Sequence, residues 1–156
     1  MKKKLNIPLL VFCIALPLGV GFLSSFFTGD MSLGYQGITQ PPLSPPAIVF
    51  PIVWTILYTL MGISSYIIIQ SDNKDKAFAL KLYGANLFFN FFWSIIFFKY
   101  QDFLFAFAWL ILLLTVVIWM VTEFRKISTL AALLNVPYII WLVFAAYLNF
   151  GVYVLN

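Results

Sequence analysis

The chain has 156 residues, 63% of them hydrophobic and only 9% charged, and carries a net charge of +4 at neutral pH. Soluble domains run nearer half apolar and about a quarter charged, so this composition excludes a water-folded globule and leaves the bilayer as the solvent. Five spans of about 20 residues use up most of the length, which leaves no room for a separate soluble catalytic domain.

The first apolar run is Leu5–Phe27, preceded by Lys2, Lys3 and Lys4. A lysine-rich start before an apolar stretch also fits a signal peptide, but this run exceeds a signal core and no small-x-small cleavage site follows. A retained helix over 5–27 is expected. It holds Cys13, which reads as a small buried hydrophobe, and two small-xxx-small pairs, Ala15–Gly19 and Gly21–Ser25, suited to close helix packing. The connection Thr28–Pro46 is the longest in the chain. Its glycines (29, 34 and 37) permit tight turns, and Pro41, Pro42, Pro45 and Pro46 stiffen it, so it reads as a lid.

The second run, Ala47–Ile69, predicts a helix over 47–70. Ser44 is placed to cap it, with Pro45 and Pro46 in its first turn, and Pro51 is expected to bend it. Trp54 and Tyr58, four apart, project from one face. The third run, Leu82–Phe98, predicts a helix over 79–98 in which Asn86, Asn90, Trp93 and Phe97 trace one stripe. The fourth, Phe103–Val121, predicts a helix over 103–123. The fifth, Leu130–Leu155, predicts one over 129–153, with Pro137, Trp141, Ala145 and Asn149 as a second stripe. Backbone groups in hydrocarbon must be satisfied within the segment, so each run reads as a helix. The fold class is therefore an all-α integral membrane protein, a single domain of five transmembrane helices with a long lid loop between the first two.

Charges lie between these runs or at their ends. Eight basic residues fall on the side of the N-terminus and one, Lys99, on the other. The positive-inside rule then puts the N-terminus in the cytoplasm of a multi-pass cell-membrane protein, with the C-terminus and the loop 28–46 outside. Histidine is absent, which removes the commonest metal ligand and proton shuttle. No metal site or required cofactor is expected. With no charge inside any run, ion-coupled transport lacks its usual residues. Asparagine in lipid is costly unless it faces the bundle interior, so the two stripes should face one another and the pair Trp54 and Tyr58. The second, third and fifth spans then form the container, and the first and fourth its wall.

The segment Pro41-Pro42-Leu43-Ser44-Pro45-Pro46-Ala47-Ile48-Val49-Phe50-Pro51-Ile52-Val53-Trp54, running on through Leu57-Tyr58 to Met61-Gly62, resembles the TspO/MBR family of tryptophan-rich sensory and translocator proteins, the peripheral-type benzodiazepine receptors. Asn86, Asn90 and Trp93, and then Pro137-Tyr138, Trp141, Ala145 and Leu148-Asn149, extend the resemblance over essentially the whole chain. It implies a five-helix bundle, usually a homodimer, whose pocket is closed by the first loop and takes porphyrins and benzodiazepine-type ligands. The ligand-contacting residues it implies are Tyr35, Pro45, Ile48, Trp54, Tyr58, Asn86, Asn90, Trp93, Phe97, Tyr138, Trp141, Ala145, Leu148 and Asn149. The expected partners are a protoporphyrin-type ligand, or a related small hydrophobic one, and the lipid bilayer, with no nucleic acid. The ligand's acid edge is expected at the start of the second helix, near Ser44–Ala47.

The expected role is that of a porphyrin carrier, scavenger or sensor. One alternative is light- and oxygen-dependent breakdown of the porphyrin, with Trp54 and Trp141 as redox candidates. The others are a structural membrane partner and a small-molecule transporter. Many family members have Trp where Leu43 stands, a basic residue at Gln40 and an Asp near Trp109, so contacts that rely on those groups are not expected.

Overall fold

The computed structural model describes residues 5–29, 35 and 37–156. Lys2, Lys3, Lys4 and Gly34 of the sequence reading lie outside them. The described residues form helices α1 (Ile7–Thr28), α2 (Val49–Gln70), α3 (Lys76–Ser94), α4 (Phe103–Ile127), α5 (Thr129–Leu133) and α6 (Val136–Leu155). A π-helical segment, Ile95–Tyr100, prolongs α3, and α5 and α6 together make one span, Thr129–Leu155. Among the described residues this gives five helices long and apolar enough to cross a membrane, as the runs predicted.

Helix ends follow the local chemistry. Asn6 Oδ1 accepts from Leu9 N and Asp102 Oδ1 from Phe105 N, so α1 and α4 start on capped donors. Ser128 caps α5 in the same way. The start of α2 departs from expectation. Ser44 does not cap it; its hydroxyl donates to the Pro41 carbonyl instead. The chain turns at Pro46–Ile48 and α2 begins only at Val49. Pro51 therefore sits in the first turn, where an N–H has no helical acceptor, and it breaks no bond.

Proline does interrupt α1, at Pro17. Without an N–H there, the Cys13 carbonyl has no helical donor. At that level α2 presents Gly62, where a Cβ would stand 2.5 Å from Ile14 Cα and 2.6 Å from the Cys13 carbonyl oxygen. The two backbones thus touch where one of them carries a free acceptor, the geometry of a Cα–H···O contact. Gly19 has open space around it, while a Cβ at Gly21 would collide with the Tyr58 ring. Of the two small-residue pairs, one faces outwards and the other packs within the bundle.

Residues 37–46 form a strap along the far half of α6. Thr39 N donates to Asn156 Oδ1 and Asn156 Nδ2 to the Thr39 carbonyl, both at 2.9 Å. Pro41 packs on Gly151 and Tyr147 Oη donates to the Pro42 carbonyl at 2.8 Å. Leu43 adopts φ 68 in the turn closed by Ser44 N and the Pro41 carbonyl, and it is 82% exposed.

Gly62→Ala should cost about 1–3 kcal/mol, because both neighbours of the new methyl group are backbone atoms that cannot move aside. Thermal unfolding in detergent micelles would show this as a lowered midpoint, whereas Gly19→Ala should leave the midpoint unchanged or slightly raised.

Candidate functional site

Polar side chains in the bundle interior are joined into a chain. Tyr138 Oη on α6 donates to Asn86 Oδ1 at 2.7 Å and accepts from Asn90 Nδ2 at 2.9 Å. Asn90 Oδ1 accepts from Tyr58 Oη on α2 at 3.4 Å, and Asn86 Nδ2 reaches Met61 Sδ at 3.6 Å. Nearer the strap, Trp93 Nε1 donates to Asn149 Oδ1, whose amide nitrogen donates to the Phe103 carbonyl at the start of α4. Asn86, Asn90, Tyr138 and Asn149 are all buried. Their hydrogen-bonding capacity is spent on one another, so they fasten helices together rather than face a space.

The open space lies beside this chain, in the half of the bundle nearer the strap. It is a cavity of about 650 Å³ between α1, α2 and the end of the third span. α1 contributes Leu18, Gly21, Phe22, Ser24 and Ser25; α2 contributes Phe50, Pro51, Trp54, Thr55 and Tyr58; the third span contributes Trp93, Ser94 and Phe98. Tyr35, Ala47 and Ile48 complete it at the strap end. The Trp54 and Tyr58 rings stack at 5.3 Å and 29°, giving a continuous aromatic wall on α2. Opposite them stand Trp93 and Phe98, with ring centroids 6.2 Å apart. Among the described residues, no lining side chain is ionisable at neutral pH, and the polar groups are hydroxyls and the indole N–H groups of Trp54 and Trp93. Four of the hydroxyls are already committed: Ser24 Oγ to the Phe91 carbonyl, Thr55 Oγ1 to the Pro51 carbonyl, Tyr58 Oη to Asn90 Oδ1 and Tyr35 Oη to the Pro45 carbonyl.

Of the expected contact residues, Tyr35, Ile48, Trp54, Tyr58 and Trp93 line this cavity. Pro45, Asn86, Asn90, Phe97, Tyr138, Trp141, Ala145, Leu148 and Asn149 do not. Pro45 accepts from Tyr35 Oη at 3.0 Å, which holds the strap over the cavity. Burial pushes the Tyr35 phenol above its ordinary value, against a smaller opposite pull from Ser44, so it stays protonated as that donor. Phe97 stacks on Trp93 at 5.4 Å and faces the core, leaving Phe98 in the cavity wall. Ala145 and Leu148 are buried.

The stripe expected on the fifth span is displaced. Tyr138, Leu142, Ala145 and Asn149 point inwards, Pro137 is exposed, and Trp141 sits at the edge. Trp141 meets Phe50 edge-on at 5.8 Å and lines a shallow apolar groove between α2 and α6. The container is thus α1, α2 and the third span, with the fifth span behind it. The residues missed are Gly29, Ala47, Phe50, Pro51, Thr55, Ser94, Phe98 and all those of α1. The contribution of α1 is mainly missing bulk, at Gly21 and the serines, and the Gly21–Ser25 pair was the one sequence signal of it.

The profile of the TspO/MBR family matches residues 13–155. The chain belongs to the TspO/MBR family. It is 37% identical over 153 residues to the tryptophan-rich protein TspO of Archaeoglobus fulgidus, covering 97% of this chain and 99% of that one. To the protein of the same name from Chlorobaculum tepidum it is 36% identical over 150 residues, 94% and 95% of the two chains. The human translocator protein is 31% identical over 150 residues, 94% and 89% of the two. Family membership and five apolar helices make this a multi-pass membrane protein.

Tyr138→Phe should cost about 2 kcal/mol, because it strips both Asn86 and Asn90 of a buried partner. Thermal unfolding would register that loss. Ligand affinity should stay close to that of the unaltered protein, since Tyr138 does not line the cavity.

Proposed function

We propose that the protein binds a porphyrin in the cavity between α1, α2 and the third span, acting as a membrane carrier, scavenger or sensor of tetrapyrroles. The observation that carries this reading is the pair of aromatic walls, Trp54 on Tyr58 and Trp93 beside Phe98, enclosing about 650 Å³. That volume lies within the range of small-molecule sites. A flat macrocycle gains most from offset contact with such rings. The wall is also open to neutral planar compounds of the benzodiazepine type, since none of its described side chains carries charge. The propionate edge would have to lie at the strap end, near Ala47, where the second helix begins. Basic residues gathered at the opposite end support a cytoplasmic N-terminus, with the strap outside. The outward-facing Ala15 and open Gly19 on α1 support close approach of a second copy.

A second reading, breakdown of the bound ring under light and air, is favoured by the place of Trp54. Its indole forms part of the cavity wall, where it could give an electron to a light-excited ring with dioxygen as oxidant. Trp141 connects to the wall only through Phe50.

Titration with protoporphyrin, followed by quenching of tryptophan fluorescence, tests the first reading. Gly21→Leu should weaken binding at least about tenfold by driving the Tyr58 ring, which it meets, into the slot, a change of roughly 1.4 kcal/mol or more; undiminished affinity would rule the cavity out. Illuminating the complex in air tests the second. Loss of porphyrin absorbance should slow in Trp54→Phe and, to a lesser degree, in Trp141→Phe. No bleaching in the unaltered protein would leave binding alone.

A further inference from the structure

Among the described residues, the cavity is covered at its end by the strap and open on its flank. At the end, the strap is held to α6 by the reciprocal Thr39–Asn156 bonds, by Tyr147 on the Pro42 carbonyl, and over the cavity by Tyr35 on the Pro45 carbonyl. Five of the lining residues are exposed: Gly29 at the end of α1 and, on the lipid-facing flank, Phe22 (72%) on α1, Ile48 (66%) before α2, and Pro51 and Thr55 on α2. Lower down, α1 and α2 are locked where Gly62 meets Ile14 and Cys13 and where Gly21 meets Tyr58. Above that contact they diverge, and the gap between them is the mouth.

We infer that ligand enters and leaves sideways, through a portal between α1 and α2 that opens into the bilayer, rather than past the strap from water. Thr55 is six residues from the start of α2 and Phe22 six from the end of α1, so the opening runs from the helix end, where Ile48 sits, to about 9 Å below it. That depth is hydrocarbon. The rim suits it. Phe22, Ile48 and Pro51 are apolar, and the one hydroxyl, on Thr55, is bonded within its own helix to the Pro51 carbonyl. Neighbouring Leu23, Phe26, Ile52 and Ile56 continue the same apolar, exposed surface on both sides. The ligands admitted are those that first dissolve in the membrane, namely planar compounds with no charge on the leading edge. Opening the strap would instead break four hydrogen bonds and bring water to a wall of aromatic rings.

This inference rests on the cavity being the porphyrin site, and the test keeps the two apart by reading rates separately from the endpoint. Protein in phosphatidylcholine vesicles is mixed with vesicles carrying protoporphyrin dimethyl ester, and quenching of tryptophan fluorescence is followed by stopped flow. Thr55→Phe narrows the mouth and should slow both entry and release about tenfold, within the range over which association rates vary among mutants of one site. Phe22→Ala widens it and should speed both; a merely damaged pocket would raise release and lower entry. A strap pinned by Thr39→Cys and Asn156→Cys, bridged with a short bis-maleimide, should exchange ligand at the unaltered rate, Cys13 being buried and out of reach. Slowed exchange in the pinned strap, or rates indifferent to both Thr55→Phe and Phe22→Ala, would overturn the portal. No quenching at equilibrium in the unaltered protein would overturn the binding site itself, and the portal with it.

Discussion

A hydrocarbon solvent offers no hydrogen bonds, and the fold is organised around that shortage. Tyr58, Asn90, Tyr138 and Asn86 solve it for one another across three spans, each donor meeting an acceptor on a different helix or one turn away. Hydrogen bonds between membrane helices contribute about 0.6–2 kcal/mol apiece, so the chain is a modest source of stability. Its larger effect is on register. Only one rotation and one height of α2, α3 and α6 bring these four groups together, whereas an apolar face alone would permit many. Asn135, which donates to Ser64 Oγ and the Ala131 carbonyl, ties the fifth span to α2 nearer the opposite end. Trp93, Asn149 and the Phe103 carbonyl bring in α4. The cavity is what remains where no such partner draws α1 towards α2.

The strap meets the same shortage by a different route. Four of its residues are prolines, so it offers few N–H donors to bury. Its carbonyls are met by hydroxyls: Tyr147 on Pro42, Tyr35 on Pro45 and Ser44 on Pro41. An extended segment can therefore lie against α6 without a sheet partner. The proline-rich motif that marks the family is, in physical terms, a means of bringing non-helical backbone close to the membrane.

Much of this was legible in the sequence. Uncharged runs of the right length can only be helices in lipid, and asparagines inside them can only face inwards, so Asn86, Asn90 and Asn149 were placed without structural knowledge. What was not legible follows from the same composition. A helix that is apolar all round gives no amphipathic signal, and so the fifth-span stripe was read through Pro137 and Trp141 when Tyr138 and Leu142 point inwards. Asparagines were read as the polar face of a binding site, yet their bonds are spent on Tyr58, Tyr138, Met61, Trp93 and the Phe103 carbonyl. Gly21 made α1 a wall of the cavity by having no side chain, and residue patterns mark what is present more readily than what is missing. The start of α2 was misjudged because Ser44 before two prolines has the pattern of a cap, while Pro46–Ile48 had room to turn once more.

The π-helical segment Ile95–Tyr100 decides which ring closes the cavity. A single turn of this kind holds one more residue than an α turn, which amounts to an insertion that the helix absorbs without breaking. Within it each residue advances round the axis by less than the 100° of a regular helix. Phe97 can therefore stay stacked on Trp93 in the core while its neighbour Phe98 reaches the cavity. Gain or loss of one residue here would exchange the part of the cavity wall supplied by this span and leave the amide–phenol chain below it undisturbed. In evolutionary terms, that makes the end of the third span a place where ligand preference can drift by changes in length, independently of the bonds that hold the bundle together.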